Sequence, residues 1–97
     1  MKLSKLKNLA EKSETQLSEI GIHTAEDLRE LGSVEAYVRL KGHYKKAISL
    51  NFLYAMEAAL RNVHWREINQ EEKLTLQTEV EATLELYSTY KKFHKDR

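Results

Sequence analysis

Apolar residues along the chain fall into short groups at helical spacing, and small capping residues separate the groups. Leu3 and Leu6 share one side of a short first helix that is expected to end near Asn8. Ser13-Glu14-Thr15-Gln16 has the form of a capping box, so a second helix is predicted from Ser13, with Leu17 and Ile20 inward and Gly21 as its stop. Thr24-Ala25-Glu26-Asp27 opens a third, with acids in the first turn, Leu28 and Leu31 on its buried side and Gly32 at its end. Ser33 is read as the cap of a fourth helix over about Val34 to Lys41, closed by Gly42. Ser49 opens the most apolar segment, Leu50 to Leu60, which is expected to be the central helix, with Glu57 and Arg61 paired one turn apart. Asn69, three residues before Glu72, starts a last helix. Its apolar positions form two stripes, Leu76, Val80, Leu84, Tyr87 and then Leu86, Tyr90, Phe93.

The alternation that strands need is missing throughout. The fold class is therefore all-α. The expected architecture is a compact bundle of about five to six short helices with a helix-hairpin-helix-like beginning and a long C-terminal helix. One domain is expected over residues 1–97, made of the hairpin part (1–32), central helices (33–68) and the C-terminal helix (69–97).

With 41% hydrophobic and 32% charged residues, the chain is neither a disordered tail nor a membrane protein. No apolar run approaches the roughly 20 residues of a bilayer span. The basic start, Met1 to Lys7, has no apolar run behind it, and cysteine is absent. A cytoplasmic location follows as the default expectation.

A net charge of +1 hides an uneven distribution. Arg39, Lys41, Lys45 and Lys46 fall in one acid-free stretch, acids dominate from Glu67 to Glu85, and Lys91 to Arg97 is basic again. Such a basic patch beside an acidic face suits DNA or an acidic protein partner, or is simply a solvated surface.

Catalytic chemistry finds little support. His23, His43, His64 and His94 lie about twenty residues or more apart, without metal-ligand spacing, and no glycine-rich phosphate loop exists. No metal, no cofactor and no enzyme activity are expected. His64-Trp65-Arg66 stays open between two readings. Trp65 either anchors a partner or folds back on the central helix while His64 caps nearby.

Leu6 to Ser13 has the layout of a helix-hairpin-helix turn, whose free amides and helix N-terminus suit a DNA phosphate. Lys12 and Ser13 are the candidate donors there. Ala10 stands where such hairpins carry Gly, and Glu11 places a negative charge beside it.

Leu9 to Ser13, Leu17, and the run Ile20-Gly21-Ile22-His23-Thr24-Ala25-Glu26-Asp27-Leu28-Arg29-Glu30-Leu31-Gly32-Ser33-Val34-Glu35-Ala36-Tyr37 resemble the C-terminal domain of the TfoX/Sxy family. The likeness continues through Ser49 to Arg61 and Val63-His64-Trp65-Arg66, and covers roughly Leu6 to Lys73. It implies a helix-hairpin-helix-like all-α fold in a bacterial protein tied to the regulation of natural competence. Two-domain members carry an α/β domain ahead of this one. Met1 stands close to the start of the matching region, so a separated or stand-alone domain is expected. Asn8 to Ser13 is also similar to the Asn-Leu-Gly-Lys-Lys-Ser turn of the RNA polymerase α subunit's C-terminal domain, which meets the DNA backbone. That likeness carries over to Asn8, Lys12 and Ser13.

The expected function is thus a non-catalytic transcription-regulatory module that contacts DNA weakly or docks on a transcription factor. Its candidate contacts are Asn8, Lys12, Ser13, Arg39, Lys41, Lys45 and Lys46. The alternative is a protein-interaction or dimerisation domain that uses the C-terminal helix to form a homodimer and never touches nucleic acid.

Overall fold

The computed structural model describes residues 1–44 and 47–94, with side chains described as far as Tyr90. Five helices follow one another among these residues: α1 Glu11–Ser18, α2 Ala25–Leu31, α3 Ser33–His43, α4 Leu50–Arg61 and α5 Gln70–His94. Short 3₁₀ turns, Leu3–Lys5 and Trp65–Glu67, precede α1 and α5. There is no strand among the described residues, only an isolated antiparallel bridge between Lys2 and Thr24. Beside it the Ala25 amide donates to the Met1 carbonyl at 2.8 Å, which pins the chain start against α2.

Several boundaries follow from local chemistry. Thr24 accepts from the Asp27 amide at 3.0 Å while the Asp27 carboxylate accepts from the amides of Thr24 (3.2 Å) and His23 (3.0 Å), a reciprocal cap on α2. The Ser49 hydroxyl accepts from the Asn51 amide, and Asn69 and Glu72 exchange hydrogen bonds of 2.8 and 3.0 Å at the start of α5. Gly21, at φ +87°, ends the α1 turn as expected, with the Ile22 amide reaching back to the Leu17 carbonyl at 3.0 Å. Asn62, at φ +59°, does the same for α4, where the Val63 amide reaches the Ala58 carbonyl.

Four expectations are corrected. The first helix is only a 3₁₀ turn. α1 begins at Glu11, so Ser13 lies inside it and caps nothing: the Glu14 amide already bonds the Ala10 carbonyl, and the extended Ala10 brings no side-chain cap. Ser33 is the first residue of α3 rather than its cap, because Gly32 alone, at φ +89°, makes the corner between α2 and α3. α3 runs through Gly42 to His43, closed by the Tyr44 amide on the Leu40 carbonyl at 2.9 Å.

The hub of the bundle is also different. α4 is strongly apolar, yet α3 is the helix that packs against α1, α2, α4 and α5. Ala36, Tyr37, Val38 and Leu40 are buried on it, and the Tyr37 hydroxyl donates to the Ile48 carbonyl at 2.6 Å. Part of the apolar surface of α4 is met instead by the Trp65–Glu67 turn. Along α5, Leu76 and Val80 are buried, whereas Leu84, Leu86, Tyr87 and Tyr90 are exposed. The helix of 25 residues, roughly 37 Å long, nearly spans the 42 Å long axis of the molecule. No helix among the described residues is long and apolar enough to cross a membrane.

The capping carboxylates make stability acid-sensitive. The His23 amide, followed by Thr24, holds Asp27 below the usual carboxylate range; the Asn69 amide, followed by Arg61, does so for Glu72. Because both values are depressed on folding, the unfolded chain takes up protons first as pH falls. Their stabilisation is full at neutral pH and drains away as pH drops through about 4 and below. Thermal melts between about pH 7 and 3 should show Tm falling in this window. The Asp27→Asn, Glu72→Gln double variant should start lower and fall less steeply; an equal slope would contradict the assignment.

Candidate functional site

The turn before α1 is built on Asn8, a non-glycine residue in the left-handed region at φ +73°. Asn tolerates that conformation better than most side chains, and here the amide is also used twice. Its Nδ2 donates to the Val63 carbonyl at 2.8 Å, and its Oδ1 accepts from the Trp65 amide at 3.1 Å. Leu6 and Leu9, buried on either side, anchor the turn in the core. Lys7 and Lys12 stay exposed, and so does Glu11. Ser13 is half-buried within the first turn of α1. The Glu14 carboxylate turns away from the helix end to accept from the Ser4 amide at 3.2 Å.

The segment facing Asn8 has its own order. His64 Nδ1 accepts from the Arg66 amide at 3.1 Å, and the Glu67 carboxylate accepts from the His64 amide at 3.3 Å. His64 thus caps, as one of its two readings held. Trp65 remains 40% exposed, stacked with the His64 ring at 5.8 Å between centroids and with the Arg66 guanidinium 5.8 Å from its ring. The Asn8 clamp therefore sets Trp65, with Arg66 after it, beside the turn at Lys7 and Asn8, and α1, which carries Lys12, starts three residues after Asn8. Exposed cations with an aromatic face suit a polyanion backbone.

The second group of candidates lies elsewhere. Arg39 is 3.6 Å from Glu35 on the same helix, and Lys41 sits 5.7 Å over the Tyr37 ring. Both rim a groove of about 480 Å³ that Val38, Gly42, Leu84 and Tyr87 complete. Lys45 and Lys46 lie outside the described residues. The end of α3 meets the far end of α1, where His43 is 3.6 Å from Glu19 and the Tyr44 hydroxyl donates to Glu19. The hairpin turn and the His43–Tyr44 end of α3 thus stand at opposite ends of α1, a helix of roughly 12 Å, while Arg39 and Lys41 face α5. The structure brings Asn8, Lys12 and Ser13 together and leaves Arg39 and Lys41 apart from them.

In the sequence the role of Trp65 is open, and nothing there connects it with Asn8. Asn in a turn is a signal for left-handed backbone, but nothing local announces a partner 57 residues away.

A cleft of about 800 Å³ lies between the α2–α3 corner, α4 and α5. Four of its polar residues pair with one another. Ser33 donates to Glu57 at 2.7 Å, Arg61 Nε donates to the other Glu57 oxygen at 2.9 Å, and Arg61 also donates to Glu72. The predicted Glu57–Arg61 pair is thus present, within a wider seam that ties α3, α4 and α5. Hydrogen bonding to Glu72, then to Glu57, raises the Arg61 pKa further. Among the described residues no group of three or more His, Asp or Glu is placed to hold a metal ion.

A family model for the TfoX C-terminal domain matches residues 1–80. The chain belongs to that family. Two solved structures are similar to it. One is an uncharacterized protein from Listeria monocytogenes in a triclinic crystal form, 30% identical, with a TM-score of 0.73 over 79% of this chain and 86% of that one. The other is a protein of unknown function from Listeria monocytogenes in a tetragonal form, 29% identical, with a TM-score of 0.75 over 82% of this chain and 98% of that one. No curated protein matches. The residues of the hairpin, the clamp and the His64–Arg66 turn all fall within the TfoX C-terminal match, which ends at Val80, the last buried residue of α5 among the described side chains.

Proposed function

We propose that this TfoX-type domain is a non-catalytic, cytoplasmic regulatory module related to natural competence, and that its hairpin end contacts the DNA backbone. The observation that supports the reading is the Asn8 clamp, which ties the segment of Trp65 and Arg66 to the turn between Lys7 and the α1 start that carries Lys12. Three exposed cations and the uncapped start of α1 offer a phosphate both charge and amide donors. Glu11 and Glu14 in the first turn of that helix reduce the local potential, so binding is weak and independent of sequence.

With two to three phosphate contacts, log Kobs should fall with log[salt] at a slope of roughly −2 to −3. Fluorescence anisotropy on a short duplex tests this. Lys12→Ala and Arg66→Ala should each reduce the slope by about one unit, with sequence preference unchanged. The same loss from replacing Lys41, Lys45 and Lys46, with Lys12 and Arg66 neutral, would move the contact to the α3 end. No binding at about 50 mM salt on any duplex would sink the reading and favour docking on a protein partner.

A further inference from the structure

Beyond Val80, the last buried residue of α5 among the described side chains, the helix runs on to His94 as an extension. Leu84 and Tyr87 on it face the end of α3 across the groove of about 480 Å³, whose other walls are Val38, Arg39, Lys41 and Gly42. Tyr87 is held in place, because its hydroxyl donates to Glu35, the carboxylate that also meets Arg39 at 3.6 Å. Leu84 and Tyr87 are nevertheless 36% and 42% exposed, so the groove lies open to solvent. A second groove of about 340 Å³ continues it past Lys41 and Leu84 toward Leu50 and Glu81. Gly42 keeps the first groove unfilled. It lies inside α3 without left-handed backbone, and a Cβ there would meet nothing within 4 Å. Neither a turn nor a close approach calls for glycine at this position, and glycine weakens a helix. Its effect here is to leave room.

Charge decides what fills that room. Two cations and no carboxylate line the groove, although α5 beside it is rich in glutamate. Lys41 sits 5.7 Å over the Tyr37 ring and forms no ion pair among the described residues. We propose that the groove receives an acidic amphipathic segment of a protein partner. A side chain the size of leucine or phenylalanine enters between Val38 and Leu84, and an aspartate or glutamate beside it pairs with Lys41 and Arg39. Glu81 repels a further acid in the second groove, so the carboxylates of the segment lie toward Arg39. A phosphate backbone would use the cations and leave the apolar walls bare. A free acyl chain fits less well, because pockets for small molecules bury most of their ligand and this groove is open. A peptide covers its own anchor with its backbone. This face is separate from the hairpin, and either reading can fail alone.

Fluorescence anisotropy of a short labelled peptide of leucine and aspartate, spaced by serine, tests it on the intact chain at low salt. A Kd of about 100 µM is expected, and exchanging aspartate for asparagine or leucine for serine in the peptide should weaken binding about tenfold. Lys41→Glu should weaken it roughly tenfold, and Glu81→Lys should strengthen it about threefold, both at unchanged Tm. Lys5→Glu makes the same charge change at an exposed position away from the groove and should alter little. Gly42→Leu fills the groove and should abolish binding while Tm holds or rises, a combination that loss of fold does not produce. Leu84→Ser removes an apolar wall outside the core and should give the same loss by a second route. No binding at about 1 mM chain would overturn the proposal. So would equal losses from Lys5→Glu and Lys41→Glu, or full binding by both Gly42→Leu and Leu84→Ser. Displacement of the peptide by a short DNA duplex would make the groove a phosphate site and overturn it as well.

Discussion

Leu40→Ala should lower the free energy of unfolding by about 3 kcal/mol, within the range of about 2–5 kcal/mol for buried leucines. Leu40 is fully buried on α3, the helix against which α1, α2, α4 and α5 all pack. Removing three of its carbons forfeits their transfer out of water and leaves a hole that several elements would have to move together to fill. Small cores have little to spare, so such a loss is a large fraction of the roughly 5–15 kcal/mol of a typical domain. Leu86→Ala on the α5 extension provides the contrast and should stay within about 0.5 kcal/mol of wild type in dilute solution. Urea unfolding followed by circular dichroism measures both. Equal effects at the two positions would mean that the extension is part of the cooperative core after all.

Asn8→Ala should be nearly as damaging, by about 2–4 kcal/mol, although Asn8 is no core residue. Two effects add. Alanine loses both amide hydrogen bonds, to the Val63 carbonyl and from the Trp65 amide, at about 1 kcal/mol each. It also places an ordinary Cβ residue at φ +73°, a strain of roughly 1–2 kcal/mol. Asn8→Gly separates the two, because glycine accepts the backbone but makes neither bond; it should cost about half as much as alanine. Trp65 is the sole tryptophan, so its emission reports the clamp itself and should shift to the red in both variants before global unfolding. If Gly and Ala prove equally destabilising, positive φ carries no strain here and only the hydrogen bonds matter.

Features that depend on neighbours three or four residues away were legible in the chain. Thr24, Ser49 and Asn69 cap helices, Gly21 ends the α1 turn, and Glu57 pairs with Arg61. Each is a contact that one turn of helix brings within reach, so its chemistry is written in adjacent letters. Ser13 and Ser33 show the limit of that reasoning. Both have the right residue type before an apolar run, yet α1 had already begun at Glu11, and the Ser33 hydroxyl found Glu57 on α4. A serine caps only if no earlier residue has started the helix and no distant acceptor competes for its hydroxyl.

The candidate site divides along the same line. Lys12 and Lys41 are exposed cations, as their residue type alone would suggest. That Asn8 spends its amide on the 63–65 segment, and thereby adds Trp65 and Arg66 to the hairpin end, depends on a contact across more than fifty residues. The two apolar stripes of α5 pose the matching problem. Leu76, Val80, Leu84 and Tyr87 are alike in sequence, but the core buries only the first two.

What the sequence determined by itself was the all-helical class, the caps at Thr24, Ser49 and Asn69 and the TfoX-like character of its two main segments. These rest on local hydrogen bonds and helical periodicity, which operate within a few residues. Only the tertiary structure decided that α3 is the hub, that Asn8 joins the hairpin to Trp65, and that the described side chains of α5 beyond Val80 are not buried. Those outcomes depend on which surfaces meet once all the helices are packed, and on where the bundle ends along its longest helix.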